Sequence, residues 1–72
     1  MLETKQVFSH ETNYINDLTA FGWQKTQVVD ERYGRTTRHY QVLARDNAMR
    51  NYVNLKKLEM EYESYRSQLK NY

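Results

Sequence analysis

The stretch that decides the fold is Leu18-Thr19-Ala20-Phe21-Gly22-Trp23. It separates a helical pattern on its N-terminal side from a strand-rich pattern on its C-terminal side. Glycine readily adopts the left-handed conformation that ends many helices. Trp23 then opens a segment rich in β-branched and aromatic residues. The stretch therefore predicts a helix that ends at Phe21 and is followed directly by a strand.

Upstream of this stretch, apolar residues recur at helical spacing, namely Tyr14, Ile15, Leu18 and Phe21. The spacing predicts a helix over residues 10–21. Ser9 is the expected N-cap, because its hydroxyl can accept a backbone N–H of the first turn. Residues 4–8, with the sequence TKQVF, are rich in strand formers and predict a first strand.

Downstream, residues 23–32 and 36–45 predict the two strands of a hairpin. With Tyr33 and Gly34 as a two-residue loop, Gly34 supplies the positive φ that a tight turn needs. Val29 would then pair with Arg38. This register places one apolar set on the face that we expect the first helix to cover, namely Trp23, Val29, Tyr40, Val42 and Ala44. The opposite face, which includes Leu43, is more polar.

From residue 47 to residue 72 no glycine or proline intervenes, and Asp46 is the expected N-cap of a long helix. Steps of three and four residues define a heptad seam of Ala48, Asn51, Leu55, Leu58, Tyr62, Tyr65, Leu69 and Tyr72. A second stripe flanks its first half, namely Met49, Tyr52, Val53 and Met60. We expect the early half of the helix to pack on the hairpin. The late half should project from a domain too small to cover it, or pair with another chain.

Together these patterns predict one small α+β domain over residues 1–72, with the order β-α-β-β-α and a small antiparallel sheet covered by one helix. Residues 4–45 form its β-α-β-β core, and residues 46–72 form a partly projecting C-terminal helix. In the core, a helix ends in Gly22-Trp23 and leads into a two-stranded ribbon. Here the sequence resembles small uncharacterised bacterial domains of the β-α-β-β kind. The resemblance implies a fold and no activity.

Composition narrows the range of functions. The chain has 72 residues, with 11 Lys and Arg against 9 Asp and Glu, no Cys and 2 Gly. The lack of cysteine excludes a disulfide scaffold and a thiol nucleophile, and two glycines are too few for a phosphate-cradling loop. Apolar runs are far shorter than the roughly 20 residues of a membrane span, and no signal peptide is recognisable. We therefore expect a cytoplasmic protein, or a soluble piece of a longer chain.

The polar residues form no recognisable catalytic pattern. His10 and Glu11 begin like a zinc-binding helix, but the second histidine is missing. Ser9 is adjacent to His10, a spacing that rarely gives a nucleophile its base. Asp30 and His39 are expected to form a screened surface contact across the hairpin. We predict no enzyme activity, no cofactor, no metal and no small-molecule ligand.

Two hypotheses for function remain. The leading one is a non-catalytic interaction or assembly module. It would form a homodimer, or dock on a partner helix, through Leu55, Leu58, Tyr62, Tyr65 and Leu69. Tyrosine suits such an interface, because it buries a large apolar body and keeps its polar tip in water.

The alternative is a nucleic-acid-binding module that uses the arginine-rich hairpin. The segment from Arg32 to Arg45, with both ends included, contains four arginines and no acidic residue. The candidate contact residues, which combine cations with a stackable ring, are Arg32, Tyr33, Arg35 and Arg38. The formal net charge of +2 is low for this function. For this reason self-association remains the leading hypothesis.

Overall fold

The structure, a computed structural model, describes the backbone of residues 1–70 and the side chains of residues 1–69. Its elements are β1 (Leu2–Phe8), α1 (Thr12–Ala20), β2 (Gln24–Tyr33), β3 (Thr36–Asp46) and α2 (Tyr52–Lys70). The three strands form one antiparallel sheet in the order β1-β3-β2. The predicted α+β class and the β-α-β-β-α order are confirmed.

The first helix is shorter than predicted at its N-terminus. It begins at Thr12, and its N-cap position is Glu11, which makes no side-chain capping hydrogen bond. Ser9 instead extends the pairing of β1 with β3, because its backbone N–H donates to the carbonyl of His39 at 2.9 Å. The prediction that Ser9 caps the helix is therefore wrong.

Gly22 ends α1 as predicted, with a φ of +92°. Its backbone N–H donates to the Thr19 carbonyl at 3.2 Å, and the N–H of Trp23 donates to the Leu18 carbonyl at 3.2 Å. These bonds satisfy carbonyls at the helix end that have no partner within the helix. The chain can then turn directly into β2.

We expect Gly22→Ala to lower the free energy of unfolding by about 1–2 kcal/mol, because any side chain is strained at this φ. The added Cβ would also lie 3.2 Å from Cε of Met49 and 3.3 Å from Cδ1 of Leu55. Gly34→Ala is the matched control, since Gly34 has a φ of +61° and no atom within 4 Å of an added Cβ. Urea denaturation followed by Trp23 fluorescence measures both variants. If both variants lost the same free energy of unfolding, crowding of the added Cβ at Gly22 would be contradicted.

The hairpin loop consists of Gly34 and Arg35, and Tyr33 pairs with Thr36. The loop was predicted one residue earlier. For this reason Val29 pairs with Tyr40 rather than with Arg38. In this loop only Gly34 has a positive φ, and a glycine at the first central position is typical of a type II′ turn. The predicted register is therefore wrong by two residues.

A bulge between Lys25 and Gln27 changes the face on which Trp23 lies. One extra residue in a strand inverts the alternation of side chains beyond it. Trp23 is therefore buried on the same face as Leu43, whose exposed fraction is 0%. The prediction that groups Trp23 with Val42, opposite Leu43, is wrong for this reason.

Both helices cover one face of the sheet. The core on this covered face consists of Val7, Ile15, Leu18, Trp23 and Leu43. The other face, which we call the open face, has no helix of the described chain packed on it. Its side chains include Leu2, Thr4, Gln6 and Phe8 of β1, Gln27, Val29, Glu31 and Tyr33 of β2, and Arg38, Tyr40, Val42, Ala44 and Asp46 of β3. The domain therefore has two layers.

The second helix begins at Tyr52, later than predicted. Residues 47–51 form turns, and Asp46 Oδ1 accepts the backbone N–H of Ala48 at 2.9 Å. Asp46 therefore caps a turn and not the helix. The 19 residues of α2 span about 28 Å at 1.5 Å per residue. Tyr72, the last residue of the predicted seam, lies outside the described residues.

Candidate interaction surfaces

A buried ion pair fixes α2 to the sheet. Arg45 and Glu59 are 2% and 5% exposed, and Nη1 of Arg45 donates to Oε2 of Glu59. The same carboxylate oxygen accepts the indole N–H of Trp23 at 2.9 Å. Arg45 also donates to the Phe21 carbonyl at 2.9 Å and to the Glu3 carboxylate at 3.0 Å. One guanidinium thus joins β1, β3, the end of α1 and α2.

Cations and aromatic rings alternate along the inner side of α2. In spatial order they are Tyr52, Arg45, Trp23, Lys5, Tyr14 and Arg66. The successive distances from cation to ring centroid are 5.0, 4.5, 5.1, 5.9 and 3.5 Å. Such contacts are worth about 0.5–2 kcal/mol each, and most where water is excluded. We call this arrangement the cation–ring ladder.

Carboxylates neutralise the charges of the ladder. Lys5 lies 3.7 Å from Glu59 and 3.9 Å from Glu63. Arg66 lies 3.9 Å from Glu11 and 3.7 Å from Glu63. Each cation of the ladder thus has an acidic neighbour within the domain. We therefore interpret the ladder as the attachment of α2 to the domain and not as a site for an anionic ligand.

Tyrosine hydroxyls fasten α2 to α1. Burial, together with a hydrogen bond to Glu63, raises the pKa of Tyr14 far above its ordinary value. Burial, together with a hydrogen bond to Asp17 at 2.5 Å, raises the pKa of Tyr62 to about 12. Both hydroxyls therefore remain protonated at neutral pH and act as donors across the helix pair.

The structure divides the five predicted interface residues of α2 into two groups. Leu55 and Tyr62 are half-buried within the domain. The ring centroid of Tyr62 lies 5.4 Å from that of Phe21 and 6.4 Å from that of Tyr14. Tyr62 belongs to the late half of α2, which the sequence predicts to project or to pair with another chain, but its ring packs within its own domain because α1 lies alongside α2.

The other three residues remain exposed, with exposed fractions of 54% for Leu58, 61% for Tyr65 and 54% for Leu69. Their spacings of seven and four residues place them on one side of the helix. We call this set the α2 stripe. Val53 and Met60 are also exposed, and they lie about 150° around the helix axis from the stripe.

The predicted nucleic-acid contacts lie at the hairpin tip, but on both sides of it. Arg32 pairs with Thr37 and points to the covered side, whereas Tyr33 and Arg38 point to the open side. The Arg38 guanidinium lies 4.7 Å from the Tyr33 ring centroid. The Tyr33 hydroxyl donates to Glu31 at 2.6 Å. The ring expected to stack on a base already has a cation on it.

Other basic residues of the hairpin are also engaged in contacts within the domain. Arg45 was counted in the basic hairpin, but it is buried and cannot reach a phosphate. Asp30 and His39 form the predicted surface contact, at 2.6 Å, and lie directly opposite each other. Arg32 and Arg35 remain exposed. Nucleic-acid binding stays a prediction, with fewer groups available for it than the sequence indicated.

Ser9 and His10, the residues that resemble parts of a nucleophile or zinc site in the sequence, follow the end of β1. His10 stacks on Phe8, with ring centroids 5.4 Å apart, and both line an open groove of about 490 Å³ with Ser9 and His39. The Ser9 hydroxyl is buried, and no hydrogen bond joins it to either histidine within the described residues. No three His, Asp or Glu side chains in residues 1–69 are placed to hold a metal ion. Neither α1 nor α2, over the described residues, is long and apolar enough to cross a membrane.

No protein-family model matches the sequence, and comparison with curated proteins and with solved structures gave no match either. The surfaces of the domain are therefore the basis for inferring its function.

Sequence reasoning missed the ion pair of Arg45 and Glu59. One signal was present, because Glu59 lies between Leu55 and Tyr62 on the inward side of α2, and an acid there needs a buried cationic partner. The partner could not be chosen from the sequence. Arg45 shares the face of Leu43, and that face becomes the covered one only through the bulge in β2.

Proposed function

We propose that this chain is a non-catalytic assembly module that self-associates through α2, with the α2 stripe as the contact between copies. The single observation that carries the proposal is the exposure of Leu58, Tyr65 and Leu69, which are each more than half exposed on a firmly attached helix. A rigid helix loses little conformational entropy on binding, so the apolar area buried there is available for affinity.

The stripe is self-complementary in an antiparallel helix pair. With the two-fold axis between residues 63 and 64, Leu58 of one copy lies opposite Leu69 of the other, and Tyr65 lies opposite Tyr62. Tyr62 would contribute its outer edge while its ring stays packed on α1. Leu55 supports the stripe from within the domain. Only three exposed side chains and the edge of a fourth would be buried on each copy, and so small an interface is typical of a weak and reversible dimer.

The test is a pair of double variants with equal numbers of introduced charges. Leu58→Lys with Leu69→Lys should remove the association through α2 and lower the average mass in sedimentation equilibrium, because each introduced cation would lie opposite an introduced cation of the other copy. Val53→Lys with Met60→Lys is the matched control, since these side chains are also exposed but lie away from the stripe. An average mass that the first double variant leaves unchanged would refute the use of α2.

We place this module in a bacterial-type cytoplasm, the location predicted from its composition and from the resemblance of its core. Its partner is a second copy of the chain. A partner protein that offers an apolar helix would use the same stripe. The proposed mechanism is burial of apolar area around tyrosine anchors.

A further inference from the structure

We infer that the open face of the sheet is a second self-association surface, on which another copy of this chain packs sheet against sheet. This surface lies on the side of the sheet opposite both helices and shares no residue with the α2 stripe. The inference therefore stands independently of the proposed pairing of helices. Its basis is the area, the chemistry and the charge of the open face.

The domain exposes more surface than a compact monomer of its mass. Its accessible surface is 5686 Å², whereas a compact monomer of 8.8 kDa exposes about 4,800 Å². The excess of about 900 Å² is close to the roughly 800 Å² that each partner buries in a standard protein interface. The excess belongs to the whole domain, including the α2 stripe, and it is large enough for one interface of standard size.

The shape of the domain points to the same missing layer. Its Cα atoms extend over 43 × 34 × 16 Å, and the radius of gyration is 13.7 Å, compared with about 11 Å for a compact domain of this length. The short dimension holds one sheet and one layer of helices. A second sheet would pack about 10 Å from the first and supply the third layer.

The centre of the open face carries no charged side chain, and its apolar residues lie on β3 and at Val29 of β2. Val29, Tyr40 and Val42 are half-buried there by their neighbours alone, and Phe8 stacks on Tyr40 with ring centroids 5.0 Å apart. A shallow groove of about 560 Å³ crosses the three strands beside Val29 and Val42, and its other lining residues are polar residues of β1 and β2. Aromatic and β-branched side chains without charges are typical of the buried centre of an interface.

Charges occur only at the two ends of this face, and each end carries both signs. Glu31 lies opposite Arg38 in the strand register at the hairpin end. The amino terminus of Met1 lies 3.6 Å from Asp46 at the other end. A two-fold axis in the plane of the interface therefore brings opposite charges within reach in either strand direction. This complementarity favours a second copy over a partner of one predominant charge.

The test uses neighbouring valines of β2. Val29→Lys places a cation in the open face and should weaken self-association at least about a hundredfold, since the cation would lie in an apolar interface. Val28→Lys is the matched control, because Val28 is 63% exposed on the other side of the same strand. Sedimentation equilibrium gives the mass, and Trp23 fluorescence verifies that each variant is folded. Isotope-filtered NMR provides a direct measurement, in which the rings of Phe8 and Tyr40 should show contacts to valine methyls of a second copy.

Each outcome separates this inference from the proposed use of α2. If both surfaces associate, wild type is larger than a dimer, and Val29→Lys and the α2 double variant each leave dimers. If the open face associates alone, Val29→Lys gives monomers and the α2 variant remains dimeric. Dimers that Val29→Lys leaves intact and that the α2 variant dissociates would overturn this inference and support the helix pairing. A wild-type monomer at high micromolar concentration would overturn both.

Discussion

Glu59→Ala should lower the free energy of unfolding by about 3–5 kcal/mol, since it leaves the Arg45 guanidinium charged and buried without its main partner. A domain of this length has little stability in reserve, about 5 kcal/mol or less. We therefore expect the variant to keep only a small part of the wild-type stability and to unfold at a much lower urea concentration. The indole N–H of Trp23 also loses its acceptor, which adds to the effect.

The loss of stability arises because one buried charge is left without its partner. Removal of both charges should have a much smaller effect. Arg45→Met alone should destabilise the domain to a similar degree, because it leaves the Glu59 carboxylate buried next to an apolar side chain. Combining Arg45→Met with Glu59→Met removes both charges and fills the space, and such replacements are often close to neutral. The double variant should therefore be more stable than either single variant.

Urea denaturation of the four proteins in this cycle gives the coupling energy directly. Glu61→Ala is the matched control, because Glu61 is an exposed acid on the same helix, and its loss should change the free energy of unfolding by less than about 0.5 kcal/mol. A double variant as unstable as the sum of the single variants would contradict the account. Arg45 and Glu59 would then contribute separately, for example through the contact of Arg45 with Tyr52.

The order of elements could be predicted because it depends on local signals. Gly22 and Gly34 both adopt positive φ values, and each lies at the boundary that the sequence indicates. The class of fold then follows from the apolar patterns between them. The position of α2 was predicted less well, because Asp46 caps a turn that has the same local signature as a helix start.

The faces of the sheet could not be predicted, because they depend on two small features. A type II′ turn at Gly34 and Arg35 moved the register by two residues, and the bulge after Lys25 inverted the alternation at Trp23. The bulge has no distinctive sequence pattern, whereas the order Gly34-Arg35 is itself the pattern of a type II′ turn. The open face could not be predicted for the same reason, since only the observed register shows which apolar residues the helices leave uncovered.

The candidate surfaces depend on the same geometry. Tyr62 lies in the predicted seam, but its ring serves the contact between α1 and α2, because α1 is close enough to receive it. Leu58 and Tyr65 lie in the same seam and remain exposed. Heptad spacing alone does not distinguish a residue that faces its own domain from one that faces a partner.

Leu43→Ala should lower the free energy of unfolding by about 3 kcal/mol, because it leaves a cavity in the core next to Leu18 and Trp23. Val42→Ala should cost only about 1 kcal/mol, since Val42 is half-buried on the open face. Both variants are compared by urea denaturation in the Val29→Lys background, so that association through the open face does not add to the cost at Val42. The register predicted from the sequence reverses this order, because it places Val42 beneath the helix and Leu43 on the polar side. A larger loss at Val42 than at Leu43 would therefore contradict the bulge, the covered face and the open face together.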